Sequence, residues 1–399
     1  MKKARLLIGI GTVMVLVGLG VCFVGAPYLV RFPDNVDQTS HYTGTITSYT
    51  NPTTFAPLAK PVQVPLTVSR EVKVVSTTHS DVVIDETIHL SFAGTTRTEL
   101  YRYVMNRTSM QLLENAGSYA FDNPSNLIQA KGDYRVNLPM GFKSSGTYMV
   151  FAPQADVAVP LKATGPSHND AQAGVSVTTF STSLNAPVAS YYRSYLKTQG
   201  LPMALSASAV AALLQSHNVD VNQALSDLRP HLSATQSATL DAVLAKPVPV
   251  DYTYFYQGDV SAQSQTGAIV ASASSREGVA ATLDLSGDAA LLPILSQYST
   301  IPSVHALLVA LSAEAAAAPQ PVLQMTYAQT PASVHAAGAF ATSQANKMNL
   351  LQWELPLALG VAGALLVIAG LLWRTRRPTA GAGPTLPQPE PATTQGALL

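Results

Sequence analysis

Residues 355–373 read Leu-Pro-Leu-Ala-Leu-Gly-Val-Ala-Gly-Ala-Leu-Leu-Val-Ile-Ala-Gly-Leu-Leu-Trp and contain no charged side chain. At about 1.5 Å of rise per residue, a helix of this length crosses a hydrocarbon core of roughly 30 Å. Trp353 and Trp373, the only two tryptophans, flank the run, and such rings favour the membrane–water interface. The stretch predicts a transmembrane helix over 353–373.

Basic residues give this helix a direction. Arg374, Arg376 and Arg377 follow it directly, and clustered arginines mark the cytoplasmic side of a span. The remaining tail, 374–399, is rich in Pro, Gly, Ala and Thr, a composition that cannot build a packed core. We therefore expect a disordered cytoplasmic tail over 374–399.

The N-terminus has the layout of an export signal. Lys2, Lys3 and Arg5 precede an apolar run that is longer than the hydrophobic region of most cleaved signals. This favours a cytoplasmic segment over 1–5 and an uncleaved anchor helix over 6–26, with 27–352 on the extracytoplasmic side.

Two alternatives to an uncleaved anchor stay open. Cleavage after Ala26 fits the small-residue rule, although Pro27 directly after the cut disfavours it. Cys22 lies in a sequence that resembles a lipoprotein box, although Val21 is bulky for the position before the cysteine.

Composition excludes several classes of protein. Lys+Arg and Asp+Glu both number 23, so the chain has no net field that would attract nucleic acid. Cys22 is the only cysteine, which excludes disulfides, zinc ribbons and cysteine nucleophiles in the exported part. Its stability must come from packing and hydrogen bonds.

The exported part begins with strand-like patterns. Segment 33–60 lacks sustained periodicity and is either an extended stalk or the start of a sheet. From Pro61 apolar residues alternate with polar ones, and Pro65 suggests an edge or a bulge because it has no N–H for the ladder. Strands are predicted near 61–69, 71–76, 82–92, 99–105, 134–138, 147–151, 174–180, 248–256, 267–271, 279–285 and 322–327.

Two helical inserts interrupt these strands, at about 206–245 and 288–317. Ser206 and Asp220 precede helical patterns, and Ser233 and Asp288 are expected N-caps. Pro302 is expected to open the last helix of the second insert. The fold class is therefore α+β, a sheet-rich extracytoplasmic domain with helical inserts, flanked by N- and C-terminal transmembrane helices.

The sequence offers no recognisable catalytic, cofactor-binding or metal-binding residues. Its eight histidines never fall at metal-ligand spacing, and it contains no Gly-x-Ser-x-Gly, Walker or dinucleotide pattern. Asp85 and Glu86 are adjacent on a predicted strand, so they point to opposite faces, and a solvated face is the expected setting for them. We therefore predict that the protein is not an enzyme and uses no cofactor.

Tyr252, Tyr254 and Tyr256 place three rings on one face of a strand. A packed, half-buried sheet face is one interpretation, and an aromatic platform for a glycan or lipid is the other.

Small residues predict that the two spans pack against each other. They are Ala358/Ala362 and Gly360/Ala364 in the second span, and Gly11 and Gly18 in the first.

Several local patterns resemble the PorA family, two-pass porin-like proteins of the actinobacterial envelope. Tyr103-Val-Met-Asn-Arg-Thr108 is similar to its tyrosine-to-aspartate-arginine-threonine turn, with Asn106 in place of the usual aspartate. Residues 136–142 with Thr147-Tyr148, residues 174–180, and residues 266–270 resemble three further motifs, although Gln265 replaces the usual proline. We read these as fold determinants, because a Thr-Gly pair fits a hairpin turn and Asn106 can cap its own turn.

The resemblance implies a plasma-membrane protein of the bacterial envelope. Three hypotheses for the function of this chain follow from the sequence. One hypothesis is a non-enzymatic exported domain that binds a lipid, a glycan or an envelope protein partner. The others are a porin or channel, as the family label suggests, and an enzyme with an unrecognised site. The sequence does not name the ligand or the oligomeric state.

Overall fold

The computed structural model describes residues 2–25, 30–51, 54–114, 117–288 and 290–375. Internal contacts divide the chain into two units, one of Met1–Val30 with Lys347–Leu399 and one of Arg31–Asn346. The predicted cleavage point after Ala26 and the predicted disordered tail beyond residue 375 lie outside the described residues.

The second unit is built on one large sheet. In the part of the chain that the structure describes, the strands are β1 Asp37–Thr50, β2 Pro57–Thr77, β3 Asp81–Phe92, β4 Thr95–Asn106, β5 Tyr119–Ala120, β6 Thr147–Ala152, β7 Val157–Ala163, β8 His168–Asp170, β9 Val175–Pro187, β10 Ala204–Leu205, β11 Val248–Ala262, β12 Ile269–Leu283 and β13 Gln320–Gln329. They pair antiparallel in the order β5-β4-β3-β2-β1-β13-β12-β11-β9-β7-β6, with β10 on β11 and β8 on β9. The sheet curls into a half-barrel, so one face is concave.

Helices interrupt or flank the strands. Those of the described residues are α1 Lys2–Gly20, α2 Ser190–Thr198, α3 Ala207–Ser216, α4 Val221–Leu228, α5 Ala234–Leu244, α6 Leu291–Gln297, α7 Pro302–Ala316, α8 Pro331–Asn349 and α9 Leu355–Thr375. Short π-helical segments follow α1 at Val21–Gly25 and precede α9 at Leu350–Glu354. The predicted α+β class, with helical inserts and long apolar helices near both ends, is confirmed.

Alternation along the strands builds the core. On β4 the side chains of Tyr101, Tyr103 and Met105 are fully buried, while the residues between them are partly exposed. A period of two of this kind is the expected result when one face of a sheet is covered. The helical inserts add Leu214 of α3 and Leu295 of α6 to the same buried cluster, so they cover part of the sheet.

Three helices of the first insert begin at side-chain caps, of which Ser233 was predicted as an N-cap. The side chains of Ser206, Asp220 and Ser233 accept hydrogen bonds from the first turns of α3, α4 and α5. Pro302 opens α7, as expected from its fixed φ. The N-cap of α6 is Ala290, so the prediction of Asp288 as the N-cap was wrong.

The strand predictions differ from the structure where pattern alone was ambiguous. Segment 33–60 contains a full strand, β1, so the stalk alternative is wrong for that part. Residues 267–271 and 279–285 belong largely to one continuous strand, β12. Residues 134–138 form only isolated bridges, such as Tyr134 with Val150. Pro65 behaves as predicted, because β3 begins to pair only at Leu66 and leaves that side of Pro65 unpaired.

The first unit contains the two long apolar helices predicted to span a membrane. Searching the described residues finds two helices of sufficient length and hydropathy, Arg5–Phe23 and Pro331–Thr375. Within this unit α1 and α9 pack closely against each other. A Cβ added at Gly11 would lie only 2.4 Å from the Gly363 carbonyl oxygen.

The predicted contact rows need one correction. The buried residues of α9 are Gly363 and Gly370, whereas Ala358 and Ala364 are exposed. Gly18 does contact Gly360: a Cβ added at Gly18 would lie 3.5 Å from the backbone nitrogen of Gly360. Glycine at these contacts allows close approach of two backbones.

Candidate functional site

A cavity of about 160 Å³ opens on the concave face of the sheet. Strands from both halves of the half-barrel line it, from β1 and β2 to β11, β12 and β13. Most of the lining is apolar. The aliphatic residues are Val68, Ile88, Val150, Val159, Leu161, Leu184, Val260 and Ile269.

A buried ion-pair cluster forms one polar part of this wall. Glu86 of β3 is fully buried and accepts two hydrogen bonds from Arg135, Nε to Oε2 at 2.9 Å and Nη2 to Oε1 at 3.0 Å. Arg70 Nε donates to Glu86 Oε1 at 2.5 Å, and Tyr103 donates its hydroxyl to Oε2 at 3.0 Å. Two guanidinium groups therefore share one carboxylate, which leaves this cluster with one net positive charge.

The burial of these charges is compensated by their pairing. Burial alone would raise the pKa of Glu86, but Arg135 and Arg70 outweigh it and lower that pKa to about 2. Burial opposes the charge on Arg70 and Arg135, yet Glu86 outweighs it, and the pKa of both guanidinium groups is raised. All three side chains are ionised at neutral pH.

Arg70 has hydrogen-bonding capacity to spare. Its Nε holds Glu86, whereas its two Nη groups have no hydrogen-bond partner among the described residues, and the side chain lines the cavity. Arg135, by contrast, places Nε and Nη2 on Glu86 and Nη1 near the carbonyl of Phe151. The Thr182 hydroxyl also lines the cavity and is buried without a partner. These groups can donate to an anionic ligand.

A second carboxyl group lies on the part of the cavity wall that β11, β12 and β13 form. Glu277 of β12 accepts hydrogen bonds from the hydroxyls of Tyr254, at 2.6 Å, and Tyr327. Burial raises the pKa of Glu277, and the two phenols and Arg135 offset that effect only in part. Tyr256 completes this wall of the cavity.

A third buried carboxyl group is not among the residues that line the cavity. Glu99 of β4 accepts hydrogen bonds from Tyr101 at 2.7 Å and Tyr192 at 3.2 Å, and Gln154 donates to it at 3.4 Å. Burial raises the pKa of Glu99 to about 7, because these hydrogen bonds do not replace its lost hydration. Gln154 also lines the cavity, so it connects the two sites.

The predicted solvated setting was wrong for Glu86, which is fully buried. The predicted orientation of the two carboxyl groups was right. Asp85 and Glu86 do point to opposite faces, and Asp85 forms a half-buried pair with Arg102 at 2.6 Å. The sequence signal that was missed is the alternation along β3: Glu86 lies two residues after Ile84 and four after Val82, on the same buried face. In the same way Glu99 is in phase with Tyr101 on β4.

The tyrosine face serves two purposes. Tyr252 is buried and donates its hydroxyl to the Pro202 carbonyl oxygen at 2.7 Å, which confirms the packed interpretation for this ring. Tyr254 is also packed, but it and Tyr256 line the cavity.

The motifs behind the family resemblance have structural roles. Asn106 Oδ1 accepts from the backbone N–H groups of Thr108 and Ser109, both at 2.9 Å, as expected for a turn cap. Gly267 has φ +72° in the hairpin between β11 and β12, and a Cβ there would lie 2.0 Å from the Leu138 carbonyl oxygen. Asn137 donates to the Thr266 carbonyl at 2.9 Å and holds this turn.

Within the described ranges, no group of three or more His, Cys, Asp and Glu side chains is arranged to hold a metal ion. The buried carboxylates are paired with arginine and tyrosine instead.

Comparison with known protein families gives a match over most of the chain. A family model described as Porin PorA matches residues 4–372 of the chain. No protein of the curated set matches it.

Proposed function

The chain belongs to the PorA porin family, and from this premise we propose that its sheet-rich unit binds an acyl chain with an anionic head group and is not an enzyme. Of the partners compatible with the sequence, a lipid fits the cavity better than a glycan or a protein. The walls of the cavity are mainly apolar, and few polar donors line it.

Family membership and the two apolar helices indicate association with an envelope membrane. We further propose a two-pass topology, with both termini cytoplasmic, an uncleaved N-terminal anchor and residues 27–352 on the extracytoplasmic side. Lys2, Lys3 and Arg5 at one end and Arg374 at the other support this orientation.

The observation that carries the ligand proposal is the pair of Arg70 Nη groups, which have no hydrogen-bond partner among the described residues. Its Nε is held by Glu86, so the side chain is fixed in place before any ligand arrives. Its Nη groups then offer two parallel donors to a carboxylate or phosphate. The cluster of Arg70, Arg135 and Glu86 carries one surplus positive charge, and burial raises the pKa of Glu277 on the same lining, which favours its neutral form. Both effects favour an anion over a neutral group.

The size of the cavity limits what it encloses. A protein cavity of about 150 Å³ accommodates benzene, so 160 Å³ holds only a short part of an acyl chain. The cavity is open to solvent, and the rest of a longer chain would extend from its mouth.

Binding of dodecanoate to the full chain in lipid nanodiscs tests the proposal. Arg70→Met keeps an unbranched apolar stem and removes the guanidinium, and it should weaken binding by about 10- to 100-fold, as expected for a charge-assisted pair. Val260→Phe should weaken binding by filling the cavity. Arg276→Met is the matched control, because Arg276 is exposed and stacks on Phe255 outside the cavity lining.

If dodecanoate binds equally well to Arg70→Met, Val260→Phe and the unaltered chain, the cavity is not its site. Circular dichroism of each variant separates loss of binding from loss of fold. A chromatographic search for substrate turnover by the same samples tests the non-enzymatic assignment.

The family description raises a pore as the second candidate. Gly11 and Gly363 bring the backbones of α1 and α9 too close for a water-filled path between them. A pore would therefore need helices from several copies of the chain. Discrete conductance steps from the purified protein in planar bilayers would favour this candidate over lipid binding.

A further inference from the structure

A second and larger cavity, of about 430 Å³, lies elsewhere in the sheet-rich unit. It is bounded by the end of β1, the start of β2, the end of β12, and helices α3 and α7. Phe55, Leu58, Leu213 and Leu283 give it apolar walls. It shares no lining residue with the cavity that contains Arg70.

One polar atom in this wall lacks a partner. Thr50, the last residue of β1, is only 6% exposed, and its hydroxyl is buried without a hydrogen bond. The pairing of β1 with β2 shifts register between Ser48 and Thr50, and Pro57 opposite Thr50 has no N–H to donate. Buried hydroxyl groups are normally hydrogen-bonded, so Thr50 points to an occupant that carries a polar atom.

The charges around the cavity exclude an anion as that occupant. Among the described residues, neither a lysine nor an arginine lines the cavity. His217 Nε2 lies 3.4 Å from Glu314 Oε1, so the one basic side chain already faces a carboxylate. A carboxylate or phosphate would meet Glu314 without a free cation to balance it.

We propose that this cavity binds an uncharged long-chain molecule whose hydroxyl or carbonyl oxygen forms a hydrogen bond with Thr50. Its volume is nearly three times that of a benzene-sized cavity of about 150 Å³, which gives room for roughly 17 carbon atoms. This second site takes a different chemical class from the anionic ligand proposed for the Arg70 cavity, and it does not depend on that proposal.

Photolabelling locates the site directly. The full chain in nanodiscs is irradiated with a diazirine-bearing dodecanol, and the labelled peptides are identified by mass spectrometry. Label is expected on residues that line the larger cavity, and unlabelled 1-dodecanol should compete for it. Dodecanoate should compete at least tenfold less well, because its carboxylate would meet Glu314 without a free cation to balance it.

Three variants separate the site from general partition into the bilayer. Thr50→Val replaces the hydroxyl with a methyl group of similar size and should reduce labelling about tenfold. Ala317→Leu should fill the cavity and abolish labelling there. Thr182→Val is the matched control, since it removes the unpartnered hydroxyl of the other cavity and should leave dodecanol labelling unchanged.

Labelling that is unaffected by both Thr50→Val and Ala317→Leu would overturn the proposal. Stronger competition by dodecanoate than by dodecanol would overturn the assignment to a neutral ligand. Loss of dodecanoate binding in Arg70→Met with dodecanol labelling intact would show two independent sites.

Discussion

The guanidinium of Arg135 meets the carboxylate of Glu86, 49 residues earlier in the chain, through two hydrogen bonds of 2.9 and 3.0 Å. Arg135 lies in a segment without strand structure, whereas Glu86 lies on β3 in the sheet. The pair therefore ties an irregular segment to the concave face of the sheet. It also positions Arg70, which shares the same carboxylate.

Glu86→Gln should destabilise the protein by about 3–5 kcal/mol, because it leaves Arg70 and Arg135 buried without a countercharge. Its neighbour provides the control: Asp85→Asn breaks only the pair with Arg102 on the other face, and should cost about 1 kcal/mol or less. The free energy of unfolding in urea measures both. Equal losses would mean that the buried cluster contributes no more than a surface pair.

Stability should fall as the pH rises from about 4.5 to about 7 because of Glu99. Burial raises its pKa to about 7 from an ordinary value of 4.5, so the folded state holds the proton more tightly than the unfolded chain. This contribution is complete below the unfolded pKa and is lost as the pH passes the folded pKa. It amounts to about 3 kcal/mol. Glu99→Gln should reduce the difference in unfolding free energy between pH 5 and pH 8, and Glu277, whose pKa is also raised, accounts for part of the remainder.

The contribution of Glu86 to stability depends on pH with the opposite sign and at lower pH. Its pKa is lowered to about 2, so its contribution is present above about 4.5 and is lost as the pH falls toward 2. Glu86→Gln should therefore remove part of the acid sensitivity and leave the change between pH 5 and pH 8 in place. A Glu99→Gln variant with the same slope as the unaltered chain in that interval would contradict the assignment to Glu99.

Much of the fold could be predicted because its signals are local. The caps at Ser206, Asp220 and Ser233 and the positive-φ turn at Gly267 each depend on a few neighbouring residues. β1 could not be recognised in the same way. It is rich in Thr and Ser, and its strand structure depends on pairing with β13, almost 300 residues away.

The site was less predictable for the same reason. Glu86, Arg70 and Arg135 are each unremarkable in sequence, and only the curling of the sheet brings them together. A carboxylate in phase with buried Val82 and Ile84 was the one available signal, and it predicts burial without naming the partner. The free Nη groups of Arg70 depend on side-chain geometry that no pattern encodes.

The proposed topology predicts opposite labelling of two engineered cysteines. In a Cys22→Ser background, Thr96→Cys lies at the exposed start of β4, and Thr375→Cys lies at the exposed end of α9. A membrane-impermeant maleimide should label Thr96→Cys in intact cells, and Thr375→Cys only after permeabilisation. The reverse pattern would show that the orientation is inverted.

Packing of α1 on α9 predicts a specific cysteine crosslink. A Cβ at Gly18 would lie 3.3 Å from Leu359 Cβ, close to the spacing of about 3.5–4.5 Å in disulfides. Gly18→Cys with Leu359→Cys, in a Cys22→Ser background, should therefore form a disulfide under mild oxidation, measured by the change in gel mobility after proteolysis between the helices. Gly9→Cys with Leu359→Cys is the control, because a Cβ at Gly9 has no neighbour within 4 Å. Crosslinking of the control pair at an equal rate, or of neither pair, would mean that the two helices do not meet through Gly18 in the membrane.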